Sequence, residues 1–164
     1  MRLERSFVFV AVVIDVFARK VVGYAIGPTL DARLPLAALE AALESRQPPQ
    51  GCVHHSDRGS QPGVKSSSRR YRERLAEAGL LGSMSRAGNP YDNAHAESFM
   101  KTLKHEATYL RPYRTMANVV AHLPHFLETI YNDHRMHSAL GYRSPNEYEA
   151  DHARTLSSGQ IFAG

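Results

Sequence analysis

Two carboxylates stand where their surroundings would let them do chemistry. Asp57 sits in His54-His-Ser-Asp-Arg-Gly-Ser-Gln61, directly after a short apolar run, and Glu97 sits in Asp92-Asn-Ala-His-Ala-Glu-Ser-Phe-Met-Lys-Thr-Leu-Lys104. Acidic groups delivered from separate elements beside basic ones are what metal-dependent phosphodiester chemistry uses. Such groups hold divalent cations that stabilise both the attacking and the leaving oxygen of an in-line displacement. That chemistry normally uses a third carboxylate, and none is evident in this chain.

Position sharpens the two candidates without deciding them. At about 100° per residue, a helix over this stretch puts Asn93, Glu97, Lys101 and Lys104 on one face. Ala96, Phe99, Met100 and Leu103 form the adjacent face, which is expected to pack on a sheet. Glu97 then lies at a boundary with two ammonium groups above it. The same spacing also describes a plain Glu97–Lys101 surface pair worth about 0.3 kcal/mol. Asp57 follows a strand, where the crevice beyond strand ends binds ligands in open α/β sheets. It also precedes Arg58-Gly59, the setting of an ordinary turn aspartate.

The elements that must position these groups follow from periodicity. Phe7–Ile14 is apolar without alternation, the mark of a strand buried on both faces. Lys20–Ile26 reads as its hairpin partner, with Asp15 suited to the first turn position. Asp31 is placed to cap a helix over Leu34–Leu43, and the run Gln47–Gly51 is a loop. A short strand over Cys52–His55 leads into Ser56-Asp57. Residues 59–69 carry glycine, proline and three serines in a row and read as flexible. Tyr71–Ala78 predicts a helix stopped by Gly79, Leu80–Ser85 a strand, and Gly88–Tyr91 a turn before a cap at Asp92. Met116, Val119, Val120, Leu123, Leu127, Ile130 and Tyr131 keep helical spacing through to Asn132. Pro124 inside that run predicts a kink rather than a break. The order is two strands, helix, strand, helix, strand, helices: an α/β domain with a mixed sheet.

Composition bounds the alternatives. The chain has 164 residues, enough for one domain, and 43% hydrophobic residues with 22% charged is ordinary for a globular protein. No apolar run is long enough to cross a bilayer, and the start lacks a signal-peptide cleavage pattern, so no membrane partner is expected. Cys52 is the only cysteine, which excludes an internal disulfide and points to a cytoplasmic setting. The nine histidines lack the regular His/Cys spacing of a zinc site. The net charge of +4 tilts weakly toward an anionic partner. Arginines crowd residues 69–74, and His134 and His137 with Arg135 and Arg143 read as phosphate contacts or helix caps.

Three ordered segments carry a resemblance. They are His55–Gln61, Ser83–Phe99 (Ser-Met-Ser-Arg-Ala-Gly-Asn-Pro-Tyr-Asp-Asn-Ala-His-Ala-Glu-Ser-Phe) and Tyr131–Pro145 (Tyr-Asn-Asp-His-Arg-Met-His-Ser-Ala-Leu-Gly-Tyr-Arg-Ser-Pro). Together they resemble the integrase catalytic core of bacterial insertion-sequence transposases, the retroviral-integrase-like Asp-Asp-Glu enzymes. The resemblance implies a ribonuclease-H-like mixed sheet flanked by helices over residues 1–150, with 151–164 as a C-terminal tail. It makes Asp57 and Glu97 the second and third members of the triad, ligands of Mg²⁺ or Mn²⁺. It points to Arg58, Arg86, Asn93, Lys101, Lys104 and Arg135 as contacts to DNA, both transposon ends and target. It also implies homo-oligomers and a separate helix-turn-helix transposase protein that reads the ends.

Two departures qualify it. The family's first aspartate belongs to a Trp-x-x-Asp-x-Thr segment on a strand ahead of the one equivalent to Phe7–Ile14, and residues 1–164 do not contain that segment. Asp15, at the end of the following strand, does not align with it. Further, 39 residues separate Asp57 from Glu97, more than the family has, and the surplus falls in Pro62–Arg70. The expectation is therefore a core with its first strand missing, its central sheet edge exposed, and no useful activity alone. A non-catalytic DNA-binding or oligomerising remnant is the rival.

Overall fold

The computed structural model describes residues 7–56, 69–84, 94–109 and 113–161. Strand β1 (Phe9–Asp15) turns back into β2 (Lys20–Gly27) as an antiparallel hairpin, with Asp15 opposite Lys20. The Asp15 carboxylate accepts a hydrogen bond from the Phe17 amide at 2.9 Å, so the expected turn role is met. The ladder slips between Val13 and Ile14, where Gly23 faces Val13 but Val21 faces Ile14. That bulge, taken up at Val22, keeps side-chain phase across the pair. Val8, Val10, Val12, Ile14, Val21, Tyr24 and Ile26 all reach one apolar cluster.

The opposite face of the hairpin is covered by α1 (Arg33–Arg46). The helix sits so close that a Cβ on Gly23 would lie 2.4 Å from the Ala38 carbonyl oxygen and 2.5 Å from the Ala42 nitrogen. Only glycine permits that approach. The residue directly before α1 is Ala32, which makes no side-chain cap. Asp31 serves one position earlier, its carboxylate accepting from the Arg33 amide at 2.8 Å. Layers on both faces of β1 account for its unalternating apolar sequence.

The second strand pair is parallel. β3 (Val53–Ser56) runs beside β4 (Leu81–Met84), with Val53 opposite Leu81 and Ser56 opposite Met84. Between them comes α2 (Arg69–Glu77), which ends at Gly79 with φ +71°. Tyr71, Leu75 and Leu80 close on Leu39 of α1 in a second, smaller cluster. Thus α1 spans both strand pairs.

Among the described residues no strand lies between β1 and β3. A cavity of about 950 Å³ opens there, lined by β1, α1 and β3. All seven residues of β1 are only half-buried, although most are apolar. Among the described residues the strands thus form an antiparallel pair and a parallel pair, with the edge of β1 open on the cavity between them.

The remaining helices build the larger core. α3 (Ala94–Thr102) continues into a wider π-type segment over Leu103–Tyr109, and α4 (Met116–His125) into another over Phe126–His134. The helix does not end at Pro124. Its hydrogen-bond step widens immediately afterwards, and the Arg135 amide reaches back to the Ile130 carbonyl at 2.8 Å. Thr115 caps α4 reciprocally with Asn118. After a 3₁₀ turn (Ser138–Leu140), α5 (Pro145–Ile161) runs without interruption across residues 150 and 151.

Candidate functional site

Glu97 lies on α3 as expected, and its face is exposed together with Lys101 and Lys104. Among the described residues it makes no hydrogen bond or ion pair, so the simple Glu97–Lys101 surface pair is not formed. The adjacent face behaves as predicted only in part. Phe99 and Leu103 are 3% and 2% exposed within the larger core, whereas Met100 is 38% exposed. Met100, with His95 and Ala96, borders the open slot beside β1 instead of packing on a strand. Among the described residues no strand lies against Met100 there.

Asp57 follows Ser56, the last residue of β3. Asp57, Arg58, Arg86, Asn93 and the stretch 59–68 lie outside the described residues, as do the turn at 88–91 and the cap at Asp92. Among the described residues no three His, Cys, Asp or Glu side chains converge as a metal site would. Glu97 itself offers unpaired carboxylate oxygens, the hard donors that suit Mg²⁺ or Mn²⁺. Asp15 is engaged elsewhere. It pairs with Arg46 at the end of α1, which also binds Glu149 of α5, and Lys20 reaches Glu149 at 2.9 Å.

The strand leading to Asp57 carries one member of a part-buried polar pair. His54 Nε2 lies 2.9 Å from the Tyr71 hydroxyl. Burial, and secondarily the neighbouring His55, lowers the His54 pKa, while burial pushes the Tyr71 hydroxyl up to about 12. Both are neutral near pH 7, and their hydrogen bond fixes β3 on α2.

Several of the cations are neutralised locally. Arg135 pairs with Glu106, Arg69 with Glu73 at 2.6 Å, and Arg74 with Glu40 at 2.8 Å. Arg143 pairs with Asp151 at 2.9 Å and lies over the Tyr148 ring. Lys101, Lys104, Arg70 and Arg72 remain exposed without an ion pair among the described residues.

Sequence reasoning overlooked two features. Asn132 is 5% exposed and closes the outer edge of β2. Its side-chain oxygen accepts from the Val21 amide at 3.0 Å and its amide donates to the Val21 carbonyl at 2.9 Å. The only local signal was an amide at a core position of an apolar helical pattern. The second feature is a small polar cavity against α3, into which Arg19 and His137 project.

The topology matches the ribonuclease-H-like catalytic cores of retroviral integrases. A bovine immunodeficiency virus (BIV) integrase catalytic core domain superposes with TM-score 0.58 at 18% identity, covering 94% of this chain and 93% of that one. A simian T-cell lymphotropic virus intasome structure, in complex with PP2A regulatory subunit B56 gamma, superposes with TM-score 0.69 at 13% identity, over 90% of this chain and 50% of that one. Integrase core domain models match residues 1–90 and 78–145.

The chain belongs to the integrase core domain family. Among its relatives, the transposase for insertion sequence element IS904 of Lactococcus lactis is 41% identical over 146 residues, 89% of this chain and 56% of that protein. Transposase InsF for insertion sequence IS3A of Escherichia coli is 36% identical over 149 residues, 91% of this chain and 50% of that protein. The chain therefore spans about half the length of the curated relatives it matches. No described helix is long and apolar enough to cross a membrane.

Proposed function

We propose that residues 1–164 form the catalytic-core portion of an insertion-sequence transposase acting in DNA transposition and integration. The observation that carries this reading is Glu97: a carboxylate without an ion-pair partner among the described residues, on an exposed α3 face shared with Lys101 and Lys104, within an integrase-like fold. Asp57, next after the carboxyl end of β3, is its proposed partner in holding Mg²⁺ or Mn²⁺. A divalent cation bound there supplies charge stabilisation to an in-line phosphoryl displacement. Arg58, Arg86, Asn93, Lys101, Lys104 and Arg135 are the proposed contacts to the phosphates of transposon-end and target DNA, Arg135 after release from Glu106. Such contacts are largely blind to sequence and weaken with salt. Reading of the ends falls to a separate helix-turn-helix protein, and the working form is a homo-oligomer in the cytoplasm.

Residues 1–164 supply two of the family's three carboxylates. Asp15 does not stand in for the third, because Arg46 and the Phe17 amide already hold it. The same observation favours the second reading, a DNA-binding or oligomerising form without catalysis. A labelled transposon-end substrate with Mg²⁺ or Mn²⁺ decides between them. The 164-residue chain is expected to bind and not cut, and a version extended upstream with the family's first strand to cut. Cutting by residues 1–164 that Asp15→Asn abolishes would make Asp15 the third ligand and overturn the assignment.

A further inference from the structure

We propose that the small cavity between the β1–β2 turn, α3 and the His137 segment is a pocket for a single phosphate-type oxyanion. It encloses about 50 Å³, and its polar lining is Arg19, His95, Ser98, Thr102, Arg135 and His137. Three separate parts of the chain deliver those groups. Arg19 comes from the hairpin turn, held at φ +55°. His95, Ser98 and Thr102 lie at helical spacing on α3, on the face beside that of Glu97 and Lys101. Arg135 and His137 follow the last π-type turn. Ile14, Phe99 and Tyr131 form an apolar floor, which strengthens any charge interaction above it.

Two observations ask for an occupant. His137 Nε2 is buried with no hydrogen-bond partner. Its ring stands edge-on to Tyr131 at 5.3 Å, and its backbone bridges Arg143. An orphaned buried nitrogen is destabilising unless water or an ion satisfies it. Secondly, two guanidiniums line the cavity, and only one carboxylate outside the lining answers them. Glu106 pairs with Arg135, and Arg19 has no ion pair among the described residues. Burial lowers the His137 pKa, and Arg135 and Arg19 lower it further, so the ring is neutral near pH 7 and leaves a net charge of one positive unit.

The chemistry selects among occupants. A cation is repelled by both arginines. A water satisfies Nε2 but leaves the Arg19 charge uncompensated. A tetrahedral oxyanion accepts from the guanidiniums, from the Ser98 and Thr102 hydroxyls and from a protonated His137 Nε2 at once. The anion has two possible sources, free phosphate or one backbone phosphate of DNA. The second rests on the reading of the chain as a DNA-acting core.

The test follows the His137 ring resonances by NMR in the full 164-residue chain, titrating sodium phosphate against sodium chloride at matched ionic strength. Phosphate is expected to shift them saturably and to raise the His137 titration midpoint, since a bound anion favours the imidazolium. Arg19→Asn removes the charge yet tolerates a left-handed backbone, and it is expected to weaken phosphate at least tenfold with an unchanged far-UV spectrum. Thr102→Val is the second variant, with a smaller loss expected. Equal responses to phosphate and chloride, or phosphate binding indifferent to both variants, overturn the proposal and leave a water pocket. A duplex DNA arm separates the sources. A His137 shift with DNA that phosphate competes away assigns the backbone phosphate. Overall DNA binding with no His137 shift keeps a free-anion pocket and refutes its DNA role. No DNA binding at all defeats the functional reading and leaves the phosphate result standing.

Discussion

The two halves of the split sheet solve the same problem unequally. The β1–β2 hairpin is clamped between α1 and the long helices, and Asn132 closes its outer edge with two hydrogen bonds to Val21. The β3–β4 pair has α2 and about two turns of α1 for cover, leaving Val53 61% and Leu81 59% exposed. Between them, the free edge of β1 opens on the slot. An edge that is apolar and unpaired invites another strand. The side of the hairpin facing away from the slot is finished; the side facing it is not. Among the described residues, α1 packs on both halves.

That comparison breaks most readily at Gly23. Gly23→Val would drive its side chain into the backbone of Ala38 and Ala42, which cannot yield as a flexible side chain would. Lifting α1 off the hairpin undoes both halves, so a loss of more than about 3 kcal/mol is expected, or no cooperative unfolding at all. Urea denaturation measures it. A variant as stable as the parent would mean that α1 is not seated on β2.

Core truncations should then rank the halves. Leu123 is fully buried in the larger cluster, and Leu123→Ala is expected to cost about 3–5 kcal/mol. Leu75→Ala in the smaller cluster, beside a slot into which neighbours can relax, is expected to cost about 2 kcal/mol. Amide exchange in β3–β4 should accordingly run at least about tenfold faster than in β1–β2. Equal protection in both ladders would show that the halves open as one unit.

Asn132→Leu tests the closed edge alone. It strands the Val21 amide and carbonyl in a buried site, at about 1–3 kcal/mol. The signature is faster exchange at Val21 with β3–β4 unaffected. A loss spread evenly over the chain would contradict a local edge role.

The smallest effect is acidic destabilisation. His54 and His137, one in each half, both have lowered pKa values, mainly from burial. As pH falls below about 6.5, the unfolded chain binds these protons before the folded one does. Stability should therefore decline from pH 7 toward pH 5 and level off above 7. His54→Gln should flatten part of that slope, and an unchanged slope would remove His54 from the account.

How much of this was legible depended on range along the chain. The unalternating run at Phe7–Ile14, the stop at Gly79 and the helix carrying Glu97 were all readable, because side-chain period and turn chemistry are set by neighbours within a few residues. Three ordered motifs identified the family and therefore the role proposed for Glu97. What sequence could not give was pairing across distance. Asn132 meets Val21 over 111 residues, Arg135 is neutralised by Glu106, and Arg19 joins His137 beside α3. Nothing in the residues around Gly23 announces that α1 lies against it. Each of these depends on which surfaces the core brings together, and only the packed tertiary structure decides that.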